Sequence, residues 1–515
     1  MRSTNSIRNV AASLIGQVLG TLSSFISRTI FIMILGTEYL GLNGLFTNIL
    51  SILSLAELGV GSAIIYSLYK PLAINDTNKI EELMNFYKDT YRIIALIIFI
   101  LGISIIPFLP NIIVDMPPID NISFIYFLFL INTVLSYLFS YKKSLITADQ
   151  KGYIITIYSY AFYIAMNIIQ VIILIITKNY ILFLLVQVAK TILENLTIAN
   201  KANKMYPMLK NRNKAKLDKA SKKEIGKNVK AMLCHKIGGI VVSGTDNIII
   251  SSALGVVLVG LYSNYCLIIN AISLIVTQIF NAITASIGNL NAQESKEKSY
   301  QVFKNILFIN FWISNFSSVT LFILLNIFIE LWIGKEYLFS NSVTLLIVIN
   351  FYMATSRLTA KVYKDSIGLF WNDRYKPIIE AIINIIASVL LVRIIGIAGV
   401  FLGTFISTIT TTFWVEPYVL YKNGFNKNPK IYFIKWIKYT MTTILSGVIT
   451  YKICLIFSDI TWFSLFIKLL VCLMIPNILY AIIFRKSDEI KYVKQIIIGI
   501  GDCIIKKDRY LKTVK

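Results

Sequence analysis

Histidine and cysteine are scarce in this chain of 515 residues. His235 is the only histidine, and the five cysteines are scattered without a C-x-x-C pair. Structural zinc sites need clustered cysteine and histidine ligands, and disulfide frameworks belong to small secreted domains, so the sequence predicts neither. A P-loop pattern GxxxxGK[ST] is also missing, which argues against ATP hydrolysis by this chain. We therefore expect no metal and no cofactor.

Charged residues are also scarce. Only 15% of the residues are charged, whereas 56% are hydrophobic and the mean hydropathy is +0.71. A soluble globular protein carries about 25% charged residues. These values exclude an ordinary soluble enzyme and a disordered chain, and they indicate an all-α, polytopic membrane protein.

Fourteen apolar segments are each long enough to cross a bilayer as one helix, which takes about 20 residues. The first runs from Val10 to Leu35 and is too long for the core of a signal peptide. The others lie near 41–69, 93–114, 121–141, 153–177, 180–200, 232–254, 260–288, 305–333, 341–363, 377–396, 398–417, 432–457 and 461–484.

Basic residues exceed acidic residues by 50 to 26, and their placement orients these spans. They concentrate in alternate loops and at both ends of the chain, with only Lys178, Lys335 and Arg393 on or near the other loops. Cytoplasmic loops collect lysine and arginine, so both termini are predicted to be cytoplasmic. The net charge of +24 then reflects topology and attraction to membrane lipids, and no nucleic-acid partner is expected.

A strongly basic stretch at 201–231 divides the chain. It separates an N-terminal lobe of six spans (1–200) from a C-terminal lobe of six (232–420). Two additional spans (421–484) and a basic cytoplasmic tail (485–515) follow. The alternation of basic and apolar residues in the tail is typical of a helix that lies on the membrane surface. Thr77–Tyr91 carries apolar residues at helical spacing and is predicted to be an amphipathic helix on the inner membrane surface.

An internal repeat links the two lobes. The sequence LGTEYLGL follows span one at 35–42, and LGVVLVGL follows span seven at 254–261, so both fit LGxxxxGL. Each copy is predicted to form a tight turn between two helices. Parallel repeats of this kind are typical of transporters that rock two lobes around a central site.

Ionisable groups inside spans are costly and usually face a cavity or a partner. Arg28 and Asp246 lie at matched depth on the first helix of each lobe. Arginine binds phosphate through a planar, two-pronged contact, so Arg28 is a candidate ligand for a phosphate group. A buried ion pair between Arg28 and Asp246 is an equally good interpretation.

Glu57 and Arg357 lie at similar depths in spans two and ten and could form a gate or a headgroup entrance. For Arg357, extension of the side chain to the membrane surface is an alternative. Lys361 and Lys364 are expected to meet lipid phosphates. Lys190 and Glu194 have the i, i+4 spacing of a structural ion pair, which the sequence favours for them. The candidate substrate-binding residues are Arg28, Glu57, Asp246, Arg357 and Lys361.

Several segments resemble polysaccharide repeat-unit flippases of the multidrug/oligosaccharidyl-lipid/polysaccharide exporter superfamily. They are LGTEYLGLNGLF at 35–46, LAELG at 55–59 with IYSLYKPL at 65–72, GTDNIIIS at 244–251 and GLYSNY at 260–265. The resemblance implies a MATE-like fold of two six-helix lobes with two further helices. It also implies a substrate, an oligosaccharide on undecaprenyl pyrophosphate. Alternating access would move this substrate from the inner to the outer leaflet of a bacterial plasma membrane, for assembly of capsule or other surface polysaccharide.

The same resemblance makes Arg28 similar to a cavity arginine of the first helix, and Asp246 similar to the acid of the TDN motif. A polysaccharide polymerase and glycosyltransferases are the implied protein partners. A cation-coupled multidrug exporter of the same fold is the alternative function. An enzyme is not expected, because the single histidine has no nearby acid within a span.

Overall fold

A computed structural model of the chain describes residues 2–57, 60–113, 117–210, 217–369 and 371–493. Every regular element in these residues is a helix. In chain order the α-helices are α1 (Arg2–Leu35), α2 (Thr37–Leu53), α3 (Val60–Ala73), α4 (Thr77–Ile105), α5 (Leu109–Ile112), α6 (Ile122–Tyr137), α7 (Ser140–Ala148), α8 (Gly152–Thr177), α9 (Tyr180–Met205), α10 (Lys219–Leu254), α11 (Val256–Gln293), α12 (Lys296–Ile333), α13 (Asn341–Ser356), α14 (Leu358–Ser366), α15 (Lys376–Ile395), α16 (Ile397–Thr410), α17 (Thr412–Val419), α18 (Lys430–Cys454) and α19 (Trp462–Ile483). The all-α fold class is confirmed.

Ten helical segments of the described residues are long and apolar enough to cross a membrane, and the bent pair α6 and α7 makes up to eleven. The predicted span 41–69 is divided into α2 and α3 by a short 3-10 segment, Ser54–Glu57. The predicted spans 232–254 and 432–457 correspond to parts of α10 and α18. Helices therefore occupy the predicted positions, while the count of fourteen spans stays a prediction.

The helices form two compact units. The first comprises Met1–Ser263 and Pro377–Val400. In it α1 packs against α8, α8 against α9, and α2 against α10. Its core includes Phe46, whose ring meets those of Tyr126 and Phe129 edge-on at 5.2 and 5.8 Å between centroids. This unit thus contains α10 as well as the first six predicted spans.

The second unit comprises Asn264–Lys376 and Phe401–Lys515, within which the structure describes residues up to 493. Its central helix is α12, which packs against α13, α14, α18 and α19. A cluster of buried aromatic rings fills the core, and Phe303 and Phe311 are completely buried there. The boundaries of the predicted lobes at 200 and 232 stay a prediction.

The amphipathic segment Thr77–Tyr91 forms the first half of α4. Its predicted apolar face is buried to at least 97% of each side chain, at Ile80, Leu83, Met84, Tyr87 and Tyr91. That face is confirmed. Nothing in the described residues tests its position at a membrane surface.

The basic stretch 201–231 contains the end of α9 and the start of α10, while residues 211–216 lie outside the described part of the chain. Asp218 caps α10 by accepting a hydrogen bond from the Ser221 amide at 2.9 Å, and it also accepts one from Lys79 Nζ at 2.7 Å. The bond from Lys79 is the main reason that the pKa of Asp218 lies well below its usual range. This ion pair fixes the start of α10 to α4. Most of the predicted tail helix, 494–515, lies outside the described residues.

Both copies of LGxxxxGL form the predicted turns. Gly36 and Gly255 have φ of 85° and 92°, a region that favours glycine, and each separates two helices. The second glycine of each copy allows close packing of the turns. A Cβ at Gly41 would lie 2.0 Å from the Val256 carbonyl oxygen, and one at Gly260 would lie 2.5 Å from the Thr37 carbonyl oxygen. Since 37 and 256 are equivalent positions of the repeat, the contact is reciprocal.

Gly41→Ala should destabilise the first unit, because its methyl group would overlap the backbone of Val256, which a side-chain rotation cannot relieve. Overpacking of this kind costs about 1–3 kcal/mol of unfolding free energy. We expect a lower melting temperature in detergent, measured by far-ultraviolet circular dichroism, because all six tryptophans belong to the second unit. Gly226→Ala is the control, because Gly226 lies in α10 with open space around it, and alanine there should stabilise the helix by up to about 1 kcal/mol. Equal melting of the Gly41 variant and the parent chain would contradict the close contact.

Candidate functional site

Arg28 lies on α1, seven residues before the end of the helix at Leu35, or about 10 Å along the axis. Its Nη1 donates a hydrogen bond to Ser263 Oγ at 2.7 Å, and that hydroxyl donates to the Gly260 carbonyl at 2.7 Å. The second copy of the repeat therefore positions the guanidinium. A guanidinium has five N–H donors in a fixed fork, and Ser263 accepts from one of them.

Arg28 belongs to a polar stripe on α1, formed by Gln17, Thr21, Ser24 and Arg28. The spacings of four, three and four residues place these side chains on one face of the helix. Gln17 accepts a hydrogen bond from Tyr160 at 3.1 Å, and Ser24 shares one of 2.6 Å with Tyr163. Gln17 and Ser24 of the polar stripe thus face α8.

Glycine brings α1 and α8 together along this face. A Cβ at Gly16 or Gly20 would lie 2.2 or 2.7 Å from the nearest ring atom of Tyr160. The ring of Tyr160 therefore rests directly on the backbone of α1. This packing holds both tyrosines of α8 beside the polar stripe.

A cavity of about 280 Å³ lies between α1, α8 and α9. The first three stripe residues and Gly20 form one wall. Ser159, Tyr160 and Tyr163 from α8 form the second, and Lys190 and Glu194 from α9 form the third. We call this space the stripe cavity. It lies wholly within the first unit.

Glu194 carries the negative charge of the stripe cavity and is 9% exposed. Its carboxylate contacts Lys190 at 3.1 Å, which confirms the predicted structural pair. It also accepts hydrogen bonds from Lys143 at 3.2 Å and Ser159 at 2.7 Å. The contacts of Lys143 and Ser159 with Glu194 were not predicted from the sequence. These residues come from α7 and α8, and nothing in their spacing indicates contact with α9.

Asp246 is buried on α10, at 8% exposure, beside the equally buried Asn247. The preceding Thr245 contacts Asn384 of α15 at 3.4 Å, so this part of α10 packs against α15. Arg28 and Asp246 belong to the same compact unit. Their pairing stays a prediction.

Glu57 lies in the 3-10 segment that interrupts the second predicted span. Its Oε1 accepts a hydrogen bond from Tyr91 of α4 at 3.0 Å. Gly61 leaves room for this pair, since a Cβ there would lie 3.1 Å from both oxygen atoms. The structure thus gives Glu57 a hydroxyl partner within the first unit, and the predicted gate with Arg357 stays a prediction.

Arg357 belongs to the second unit, where it donates to Glu416 of α17 at 3.1 Å. Glu416 also binds Lys376 at 2.5 Å, and Lys376 contacts Asp373 at 3.1 Å. Lys364 contacts Asp373 at 2.6 Å. This buried charge network ties the chain after α13 to α17. We did not predict a role for Glu416 from the sequence. It lies inside the predicted span 398–417, and an ionisable residue inside a span is the same signal that identified Arg357.

Lys361 is exposed one turn after Arg357, and its amide donates to the Arg357 carbonyl at 3.1 Å. Contact of Lys361 with a substrate or lipid stays a prediction. The expectation that Lys364 meets lipid phosphates is wrong, because its side chain is 3% exposed and paired with Asp373. The chain folds back at 371–373 and brings this acid to Lys364.

Metal ligands are not clustered in the part of the chain that the structure describes, where no group of three or more histidine, cysteine, aspartate or glutamate side chains could hold an ion. Cofactor-independence stays a prediction.

Solved structures share the fold of this chain. A structure of the lipid II flippase MurJ in an inward closed conformation is similar at a TM-score of 0.66 and 16% identity, covering 93% of this chain and 99% of MurJ. An inward-facing multidrug resistance MATE family transporter matches at 0.60 and 14% identity, covering 78% of this chain and 94% of the transporter. A variant of the MATE transporter VcmN from Vibrio cholerae matches at 0.54 and 12% identity, covering 83% and 99%. No family model and no curated protein matches the chain. The MATE-like fold is therefore confirmed.

Proposed function

We propose that this chain is an alternating-access flippase that moves an oligosaccharide on undecaprenyl pyrophosphate across a bacterial plasma membrane, from the inner to the outer leaflet. The observation that carries the proposal is Arg28, a guanidinium held by Ser263 within a membrane-spanning helix of a MurJ-like fold. The proposed role is that of a transporter and not of an enzyme. The chain is proposed to be a multi-pass membrane protein whose two termini are cytoplasmic. A polymerase that consumes the product and glycosyltransferases that supply the substrate are the proposed partners.

The diphosphate group sets the physical problem. An ionised group cannot enter hydrocarbon without compensation, because the desolvation cost far exceeds any thermal energy. A planar guanidinium compensates phosphate oxygens with two parallel hydrogen bonds. Arg28 therefore serves as the binding group for the pyrophosphate inside the membrane. Arg357 and Lys361, in the second unit, are proposed to guide the headgroup towards it.

The membrane potential can assist this direction of movement. Each elementary charge that crosses the membrane gains or loses about 2.3 kcal/mol per 100 mV. An inside-negative potential therefore favours outward movement of an anionic headgroup. Exchange for an ion is the other possible driving force, and the proposal holds with either.

A cation-coupled multidrug exporter is the alternative function, since MATE transporters share the fold. Such an exporter would bind cations through acidic groups in its cavity. Among the residues that line the stripe cavity, however, Glu194 is the one carboxylate, and it contacts both Lys143 and Lys190, while Arg28 lies one turn further along the polar stripe. This excess of positive charge favours an anionic substrate.

The test is a flipping assay in proteoliposomes. One population of vesicles contains undecaprenyl pyrophosphate carrying one hexose, and exposure of the sugar is measured by a membrane-impermeant oxidant of its diols. A second population contains ethidium as a cationic drug. We expect sugar exposure at least about tenfold faster than in protein-free vesicles, with no movement of ethidium. Ethidium export without lipid movement would overturn the proposal in favour of the exporter.

A further inference from the structure

We infer that the stripe cavity is a sugar-binding subsite, which takes the hydroxyl groups of the sugar attached to the pyrophosphate. This inference rests on the proposed function and adds to it the place of the first sugar. It uses only side chains of the first unit.

The walls of the stripe cavity are polar at membrane depth. Apart from Gly20, each of its lining residues carries a side chain that forms hydrogen bonds. Ser24 is about 16 Å from the end of α1 at Leu35, and Lys190 is about 15 Å from the start of α9 at Tyr180. Polar groups at such a depth pair with one another or line a wet or ligand-filled space, because hydrocarbon offers them no partner, and here paired groups surround a space. The stripe cavity therefore suits an occupant that is itself rich in hydrogen-bonding groups.

The bonding pattern selects a hydroxylated ligand over an ion. Glu194 is already neutralised by Lys143 and Lys190 and bonded to Ser159, which leaves no acidic oxygen set for a metal cation. Lys190 is in turn engaged with Glu194, so it offers little to a free phosphate. The remaining walls mix amide, hydroxyl and phenol groups. Hydroxyl groups both donate and accept, as those of a sugar do, and so match such walls.

Size and position agree with a single sugar ring. The volume of about 280 Å³ lies just below the roughly 300–1,000 Å³ of pockets for drug-sized ligands, so it is too small for a whole repeat unit. Arg28 follows Ser24 by one turn on the same face of α1, about 6 Å along the axis. A pyrophosphate bound at Arg28 thus places its first sugar at the stripe cavity.

The hydrogen bond between Ser24 and Tyr163 provides a test that preserves the shape of the walls. In the double variant Ser24→Ala with Tyr163→Phe, both hydroxyls of this bonded pair are removed, so neither is left without its partner. Tyr158→Phe is the matched control, because it makes the same change on α8 but does not line the stripe cavity. Thr21→Val, which preserves side-chain shape, is an independent second variant.

Binding is measured with the full chain in lipid nanodiscs, using two probes: undecaprenyl pyrophosphate alone, and the same lipid carrying one hexose. We expect the parent chain to bind the hexose-bearing lipid more tightly. The double variant should lose about tenfold in affinity for that lipid and stay within about twofold for the bare lipid. Thr21→Val should show the same selectivity with a smaller loss, and Tyr158→Phe should match the parent chain.

The other binding results would contradict either the sugar-binding subsite or the proposed function. Equal affinity of the parent chain for both lipids would mean that the stripe cavity holds water only, and would overturn the subsite while leaving the proposed function intact. Equal losses for both lipids in the double and Thr21 variants would overturn it as well. If the parent chain binds neither lipid, the proposed function itself fails.

Discussion

Replacing Arg28 with alanine should abolish export of surface polysaccharide while the protein still folds and reaches the membrane. The guanidinium is the cation that we expect to replace water around the pyrophosphate, and a hydrogen bond to a charged group contributes about 1.5–3 kcal/mol. Loss of one or two such bonds lowers transport by at least about tenfold. Surface polymer is measured in a strain whose only flippase is the variant, and folding is checked by membrane abundance and melting temperature.

Two further variants test whether export depends on the guanidinium of Arg28 itself. One preserves the charge at this position, and the other removes an arginine elsewhere. Arg28→Lys preserves the charge but not the two-pronged geometry, so it should restore export only in part. Arg92→Ala removes an arginine whose side chain is 61% exposed and whose ion pair with Asp89 is long, at 3.8 Å, so it should leave export unchanged. Normal export by the Arg28→Ala strain would remove the central support of the proposed function.

Glu416→Gln should strongly destabilise the second unit, although it preserves the size of the side chain. The Glu416 side chain is 2% exposed, and one of its oxygens contacts both Arg357 and Lys376. Glutamine retains the size but not the charge, so Arg357 loses the Glu416 carboxylate and Lys376 retains only its contact with Asp373. Breaking a buried ion pair from one side costs about 3–5 kcal/mol. We expect a large fall in melting temperature in detergent, measured by tryptophan fluorescence.

Glu297→Gln is the control for this effect. Glu297 pairs with Lys427 at a similar distance, 2.8 Å, but its side chain is 61% exposed. Exposed ion pairs contribute about 0–1 kcal/mol, so this variant should melt close to the parent chain. Adding Arg357→Met to Glu416→Gln should recover part of the loss, because it removes a largely buried cation that no longer faces the Glu416 carboxylate. If the Glu416 and Glu297 variants melt alike, the charge network does not stabilise the second unit.

Local patterns in the sequence predicted local features of the structure. The glycine turns of the repeat, the apolar face of α4 and the Lys190–Glu194 pair all depend on residues within about one or two helical turns of each other. Backbone preference and helical periodicity determine such features, and both can be seen in a single sequence.

The features that the sequence did not predict depend on where distant helices meet. Lys143 reaches Glu194 across 51 residues, and Arg357 reaches Glu416 across 59. Lys364 is buried because Asp373 folds back onto it, whereas a row of lysines in a loop suggests exposure. Hydrophobicity alone gives the depth of a charged residue along its span but not the direction in which it points, so its partners could not be identified.

The reciprocal packing of Gly41 and Gly260 has a consequence for how the chain arose. Two equivalent turns that each rest on the other's backbone form an isologous contact, the kind that relates the subunits of a twofold-symmetric dimer. A half-length ancestor with one copy of the turn would have carried both sides of this contact. Gene duplication and fusion would then have preserved the contact, and its glycines, within one polypeptide.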